Sequence, residues 1–273
     1  MYSHSRTLLA VLLGWMSLMT QHILAAGESD TAGHTPFRLH VVFNNVSYKA
    51  GLESGWGFAC LIETPYKTIL FDTGGDGEIL LANIQGMDLD PEAIDAVVLS
   101  HIHADHTGGL KAFLGRNPDV TVYMPASFPL AFQREAKNLG AAIEIVSGPR
   151  QLLGNVYSTG EMGRATKEQA LIVDTREGLV VVTGCAHPNV ADMAERARAD
   201  LGKGIHLLMG GFHLGGSSNA EIQAIIRRLK VLGVTKVAPS HCTGDNAISM
   251  FRAAWGEDFI DGGLGAVIEV PFN

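Results

Sequence analysis

Residues 100–109 read SHIHADHTGG. Three histidines and one aspartate, His101, His103, His106 and Asp105, fall within six positions of a chain that holds 11 histidines in 273 residues. They directly follow AIDAVVL (93–99), an apolar run that reads as a buried strand. On an extended segment side chains two apart point to the same side, so His101 and His103 can grip one cation together. Asp105 and His106, beyond a tight turn, can reach a second, and His106 is poorly placed to share the first with His103. Neutral imidazole and carboxylate are common ligands for zinc and its neighbours. A lone histidine here would read as ordinary loop polarity. Four potential ligands behind an apolar strand predict a divalent-metal centre at a strand end.

The rest of the chain bounds what such a centre can serve. Hydrophobic residues make up 47% and charged residues 18%, enough for a large core and against general disorder. The formal charge is -8 and no Lys/Arg-rich block appears, which argues against nucleic acid as a partner and leaves a small molecule. The first residues carry Arg6, an apolar run from Leu8 to Met19, and small residues at Ala25, Ala26 and Gly27. That is the three-part pattern of a secretory signal over 1–26, cleaved near Ala26. The apolar run is short for a membrane span. An exported, periplasmic protein with no stable span after cleavage is expected, with a retained anchor as the alternative. The remainder, 34–273, reads as a single domain. Three cysteines, Cys60, Cys185 and Cys242, allow at most one internal pair. Cys60, inside FACLIE, reads as a core residue.

Strand-like runs at 38–43, 57–63, 67–72, 120–124, 142–146, 168–174, 178–183, 204–210, 236–240 and 265–270 combine β-branched and aromatic residues with Gly, Pro and Asn boundaries. Helical periodicity marks 76–85, 109–115, 129–140, 189–201, 218–233 and 245–256. Hairpin-like strands come first and alternating strands and helices later. That order suits an α+β, αββα sandwich: two mixed β-sheets packed face to face with helices outside. Several strands end in loops bearing glycine and histidine: LSHIHADH, VVTGCAHP, LLMGGFHL and APSHCTG. Strand ends on one edge of a sandwich can converge on one cleft.

FDTGG (71–75) followed by SHIHADHTGG resembles the metallo-β-lactamase superfamily, whose signature is His-x-His-x-Asp-His after a strand. TGCAHPNV (183–190), MGGFHLGG (209–216) and PSHCTG (239–244) are similar to its 7,8-dihydropteroate synthase-like, methanopterin-pathway-related branch. The resemblance implies a metal site between the upper edges of two sheets, most simply two Zn²⁺, with one metal or Fe/Mn as alternatives. It implies His101, His103 and His187 around the first ion and Asp105, His106 and His241 around the second. Asp72 is implied beside the site rather than as a ligand. Two departures stand out. No Gly-Asp appears where a bridging carboxylate is usual; Cys185 or Gly211 stands there, and Cys185 reads as either a ligand or a small packed residue. Trp56–Gly57 replaces His-Gly, so Trp56 reads as either a substrate-facing aromatic or a packing residue.

His213 follows two glycines that free the backbone for close approach; metal binding, substrate binding and charge stabilisation all remain open for it. Cys242 reads as packed behind His241. Arg164 and Lys167 read as a solvated loop, with an anionic substrate as the alternative. The expected chemistry is hydrolysis of an ester, lactone or phosphoester-type small molecule by metal-activated hydroxide, with Asp105 and His213 as the catalytic side chains besides the ligands. Two rivals are an iron-dependent oxidoreductase on the same fold and a metal- or ligand-binding protein without turnover. No flavin-binding domain is visible in these residues, which disfavours a flavodiiron version. Oligomeric state is not legible.

Overall fold

The computed structural model describes residues 37–272. The signal segment expected over 1–26 lies outside the described residues, and so does its cleavage point. No helix among the described residues is long and apolar enough to cross a membrane.

Among the described residues, thirteen strands form two sheets. In chain order they are β1 (Phe37–Asn44), β2 (Phe58–Glu63), β3 (Thr68–Phe71), β4 (Ala96–Val98), β5 (Thr121–Pro125), β6 (Ala142–Val146), β7 (Arg150–Leu153), β8 (Val156–Ser158), β9 (Leu171–Thr175), β10 (Gly178–Thr183), β11 (Ile205–Gly211), β12 (Lys236–Ser240) and β13 (Val267–Val270). The helices are α1 (Gly77–Gly86), α2 (Ala104–Thr107), α3 (Leu110–Arg116), α4 (Leu130–Asn138), α5 (Val190–Leu201), α6 (Asn219–Val231) and α7 (Asp245–Trp255). The first sheet runs β13-β1-β2-β3-β4-β5-β6 and the second β12-β11-β10-β9-β8-β7.

Period-two alternation splits the apolar residues among three cores. Leu39, Val41, Cys60, Ile69 and Phe71 of the first sheet meet Leu171, Val173, Val180, Val182 and Met209 of the second. The intervening Val42, Leu70 and Val97 face outward under α1 and α3, and Val181 and Leu208 face outward under α5, α6 and α7. Strands buried on both faces read as near-continuous apolar runs, which is why FACLIE and GLVVVT show little polar alternation. Each fully buried Val, Leu or Phe contributes about 1.5–3 kcal/mol. The four layers are the expected αββα sandwich.

Three local differences from the sequence expectation matter. The turn after His103 is the short helix α2, with His103 at its N-cap. β9 starts at Leu171 rather than 168, because Glu168 and Gln169 are drawn into side-chain bonds at the site. The β7–β8 hairpin has no clear sequence signal; its strands are short, β7 exposed to half-exposed and β8 largely buried.

The topology aligns the strand ends that matter. β3 and β4 are parallel, and so are β10, β11 and β12. Their C-terminal ends carry Asp72, Ser100–His101, Cys185–His187, His213 and His241 respectively. Side chains far apart in sequence therefore reach one rim, the usual place for a site in sheets of this kind.

Candidate metal centre

The strands hand the chain to this rim through strained turns. Asp72, Ala186, His213 and His241 all have positive φ, at 57°, 58°, 53° and 52°. Each left-handed non-glycine residue costs about 1–2 kcal/mol, and such strain persists where surrounding contacts over-determine it. Gly184 has a different constraint. A Cβ there would lie 2.1 Å from Ser100 Oγ and 2.8 Å from Asp72 Oδ2. Only glycine lets the β10 turn pass so close to the β3 and β4 ends.

Asp72 is a fully buried hub. Its carboxylate accepts from the Ser100 N–H at 2.7 Å, from Ser100 Oγ at 2.6 Å and from His106 Nδ1 at 2.7 Å. Two tautomers follow from the donor inventory. His106 donates its Nδ1 proton to Asp72, so Nε2 faces the interior of the cluster. Ser100 spends its hydroxyl proton on Asp72 and accepts from His101 Nδ1 at 2.9 Å, so His101 also turns Nε2 inward. His241 repeats the arrangement from the other sheet: its Nδ1 donates to Asn45 Oδ1 at 2.6 Å. An outer partner that fixes ring and tautomer is characteristic of metal-ligating histidine.

Two groups of donor atoms result, each with its atoms within 4.8 Å of one another. One is His101, His103 and His187; the other is Asp105, His106, Cys185 and His241. His101 Nε2 lies 3.1 Å from His103 Nδ1. Cys185, His187 and His213 form a third, overlapping group. The structure thus brings together every histidine and aspartate named as a ligand from sequence, and puts Asp72 beside them. His187 Nε2 and His241 Nε2 are buried without a hydrogen-bond partner. Asp105 Oδ2 is 3.4 Å from His241 Nε2, close enough for an ion pair but without hydrogen-bond alignment. Orphaned buried nitrogens aimed at a carboxylate and other imidazoles are what a bound divalent metal would satisfy, and the N, O and S donor set fits one.

The electrostatics agree. Burial and the surrounding imidazoles hold His101 far below the ordinary histidine range, and burial with His213 nearby brings His187 down to about 4. Burial raises Asp105, but the nearby His241 and His106 imidazoles outweigh it, leaving about 2. Burial works against a charged His106, and Asp72 reverses it, so its pKa rises. Neutral His101 and His187 and an ionised Asp105 are the protonation states a cation requires; His106 is the exception, and a cation would have to displace its Nε2 proton.

Three supporting residues had no role assigned from sequence. Ser100 and Asn45 are described above. Glu168 is fully buried and accepts from the N–H groups of Cys185, Ala186 and His187 at 2.9, 2.8 and 2.9 Å. It clamps the loop that presents Cys185 and His187. Burial pushes its carboxyl up to about 7 against those three bonds. A lone acid immediately before an apolar run was its only signal.

Trp56 is 63% exposed and its ring lies 5.0 Å from that of His241, so it is not a packing residue. It lines a cavity of about 540 Å³ with Asn45, His241 and Cys242. A second cavity, about 560 Å³, lies beside His187 and is lined by Arg164, Thr166 and Pro188. Lys167 Nζ is engaged with the Gly163 carbonyl at 2.7 Å. His213 is exposed, with its ring 4.2 Å from that of His187. Cys242 is half-buried behind Cys185 rather than behind His241 alone, its Sγ 3.7 Å from the Cys185 carbonyl.

A metallo-beta-lactamase superfamily model matches residues 57–192. The 7,8-dihydropterin-6-methyl-4-(beta-D-ribofuranosyl)-aminobenzene-5'-phosphate synthase of Methanocaldococcus jannaschii is 30% identical over 261 residues, spanning 78% of this chain and 89% of that one. The chain belongs to the metallo-beta-lactamase superfamily. An uncharacterised protein of the same archaeon is 26% identical over 264 residues, 85% of this chain and all of its own length. Among solved structures, a metal-dependent hydrolase of the beta-lactamase superfamily superposes with TM-score 0.74 at 28% identity, covering 86% of this chain and 99% of that one. The metallo-beta-lactamase fold protein YhfI from Bacillus subtilis shares the fold, with TM-score 0.63 at 17% identity, covering 86% of this chain and all of the other.

Proposed function

We propose that this superfamily member is a metal-dependent hydrolase of an ester, lactone or phosphoester-type small molecule. One observation carries the proposal: histidine nitrogens and the Asp105 carboxylate converge on an open rim with their lone pairs inward, flanked by three cavities. His101, His103 and His187 would hold one divalent cation, and Asp105, His106 and His241 a second. A bound cation supplies Lewis acidity and an activated water at neutral pH. Asp105 stays ionised and orients the nucleophile through its second oxygen. His213 stands exposed beside His187 and donates a hydrogen bond to the negative charge that develops in the transition state. Trp56 presents an apolar face to the substrate on the His241 side, and Arg164 offers a positive charge at the other end. The amino-terminal pattern supports export to the periplasm, which detection of a shortened chain in a periplasmic fraction would check.

A synthase reading is favoured by one observation, the 30% identity to a phosphate synthase across most of both chains. In that reading the same rim orients a phosphate-bearing substrate. The discriminating experiment is a panel of esters, lactones, thioesters and phosphodiesters, assayed with zinc-loaded protein. Turnover of one class, lost with a chelator and restored by zinc, is expected. No turnover on any class with cations fully loaded overturns the hydrolase reading.

A further inference from the structure

We infer that the Cys185 thiolate is itself a metal ligand, completing the Asp105, His106 and His241 donor group. The inference rests on the proposed cation centre and adds a sulfur to it. Cys185 Sγ lies 3.2 Å from His106 Nε2, the nitrogen left facing inward once Nδ1 has given its proton to Asp72. Two electron-rich atoms at that separation need a proton or a cation between them. The sulfur also sits within 4.8 Å of the donor atoms of Asp105 and His241 on one side and of His187 and His213 on the other. No other residue in the Asp105 group belongs to a second group. Cys185 therefore links the Asp105 group to the His187 side of the rim.

Its position is fixed. Cys185 is 3% exposed, and its backbone N–H is held by Glu168 Oε1 at 2.9 Å. Gly211 packs from behind, where a Cβ would lie 3.2 Å from Cys185 Cα. These contacts fix the backbone that presents the sulfur. Buried His241 Nε2, aimed at the same place without a partner, points independently to a ligand there. A thiolate there would bring a second negative charge beside Asp105 and a soft donor to the cation held by that group. Sulfur favours zinc over magnesium, calcium or manganese. Cys242 is the competing sulfur. Its thiol is directed at the Cys185 carbonyl, and it belongs to none of the donor groups among the described residues.

X-ray absorption at the zinc edge tests this on zinc-loaded protein. Wild type should show sulfur scattering at about 2.3 Å, Cys242→Ala should retain it, and Cys185→Ser should lose it with at least a tenfold fall in zinc affinity. Cobalt-loaded samples should show a thiolate charge-transfer band with the same pattern. Nitrogen and oxygen scattering alone in wild type overturns the inference, as does sulfur that survives Cys185→Ser or vanishes in Cys242→Ala. Wild type and Cys242→Ala decide the matter even where Cys185→Ser fails to fold. Zinc bound without sulfur defeats this inference alone, whereas no zinc bound defeats the cation centre as well.

Discussion

Replacing Asp72 by Asn keeps the shape of the hub and changes its hydrogen-bond polarity. The carboxylate accepts from the Ser100 N–H on one oxygen and from Ser100 Oγ and His106 Nδ1 on the other. Whichever way the amide turns, its NH₂ meets a donor. The Ser100 N–H cannot reverse, whereas the Ser100 hydroxyl can rotate to accept. The amide therefore settles with NH₂ toward His106. His106 must then accept at Nδ1 and carry its proton on Nε2, the nitrogen 3.2 Å from Cys185 Sγ and 3.7 Å from Asp105 Oδ2. A protonated Nε2 is not a ligand. Loss of such an outer partner typically costs about 10–100-fold in metal affinity, or about 1.4–2.7 kcal/mol. Unfolding free energy should fall by about 1–3 kcal/mol, the cost of one unmade buried bond to a charged group, since no apolar residue changes. Competition with a chromophoric chelator measures zinc affinity, and urea unfolding of the metal-free protein measures stability. Wild-type zinc affinity in folded Asp72→Asn would refute the tautomer argument.

Gly184→Ala should be worse than its size suggests, because the new methyl lands on Ser100 Oγ and Asp72 Oδ2. Overpacking costs about 1–3 kcal/mol, and thermal unfolding should show it together with weakened zinc binding; an unchanged melting temperature would contradict the close approach. Glu168→Ala strands two buried N–H groups and a third that is part-buried, so urea unfolding should lose about 2 kcal/mol or more at roughly 1–3 kcal/mol per unmade buried bond, and zinc affinity should fall because the 185–187 loop loosens. Trp56→Ala should leave stability within about 0.5 kcal/mol, as for exposed positions generally, while raising KM for the substrate that the panel identifies.

The two-sheet sandwich was legible because strands buried on both faces betray themselves as apolar runs, and helices such as α6 carry a capping box at Ser218 and Glu221. The clustering at 101–106 was legible because short-range spacing encodes it. The supporting set was not. Asn45, Ser100 and Glu168 act through hydrogen bonds to residues up to 196 positions away, and no local pattern marks such a partner. The early end assigned to β9 had the same origin, since Glu168 and Gln169 look like strand residues until their partners on β8 and β10 turns are placed. The sequence around Trp56 is compatible with two roles because exposure is set by packing of the 45–57 loop, not by its own residues.

The central claim is that imidazoles from both sheets meet around cations at one rim. Elemental analysis of freshly purified, folded protein tests it most directly. The account predicts close to two equivalents of transition metal per chain, with zinc preferred on reconstitution. Folded protein that carries no zinc, iron or manganese and takes up none would contradict it.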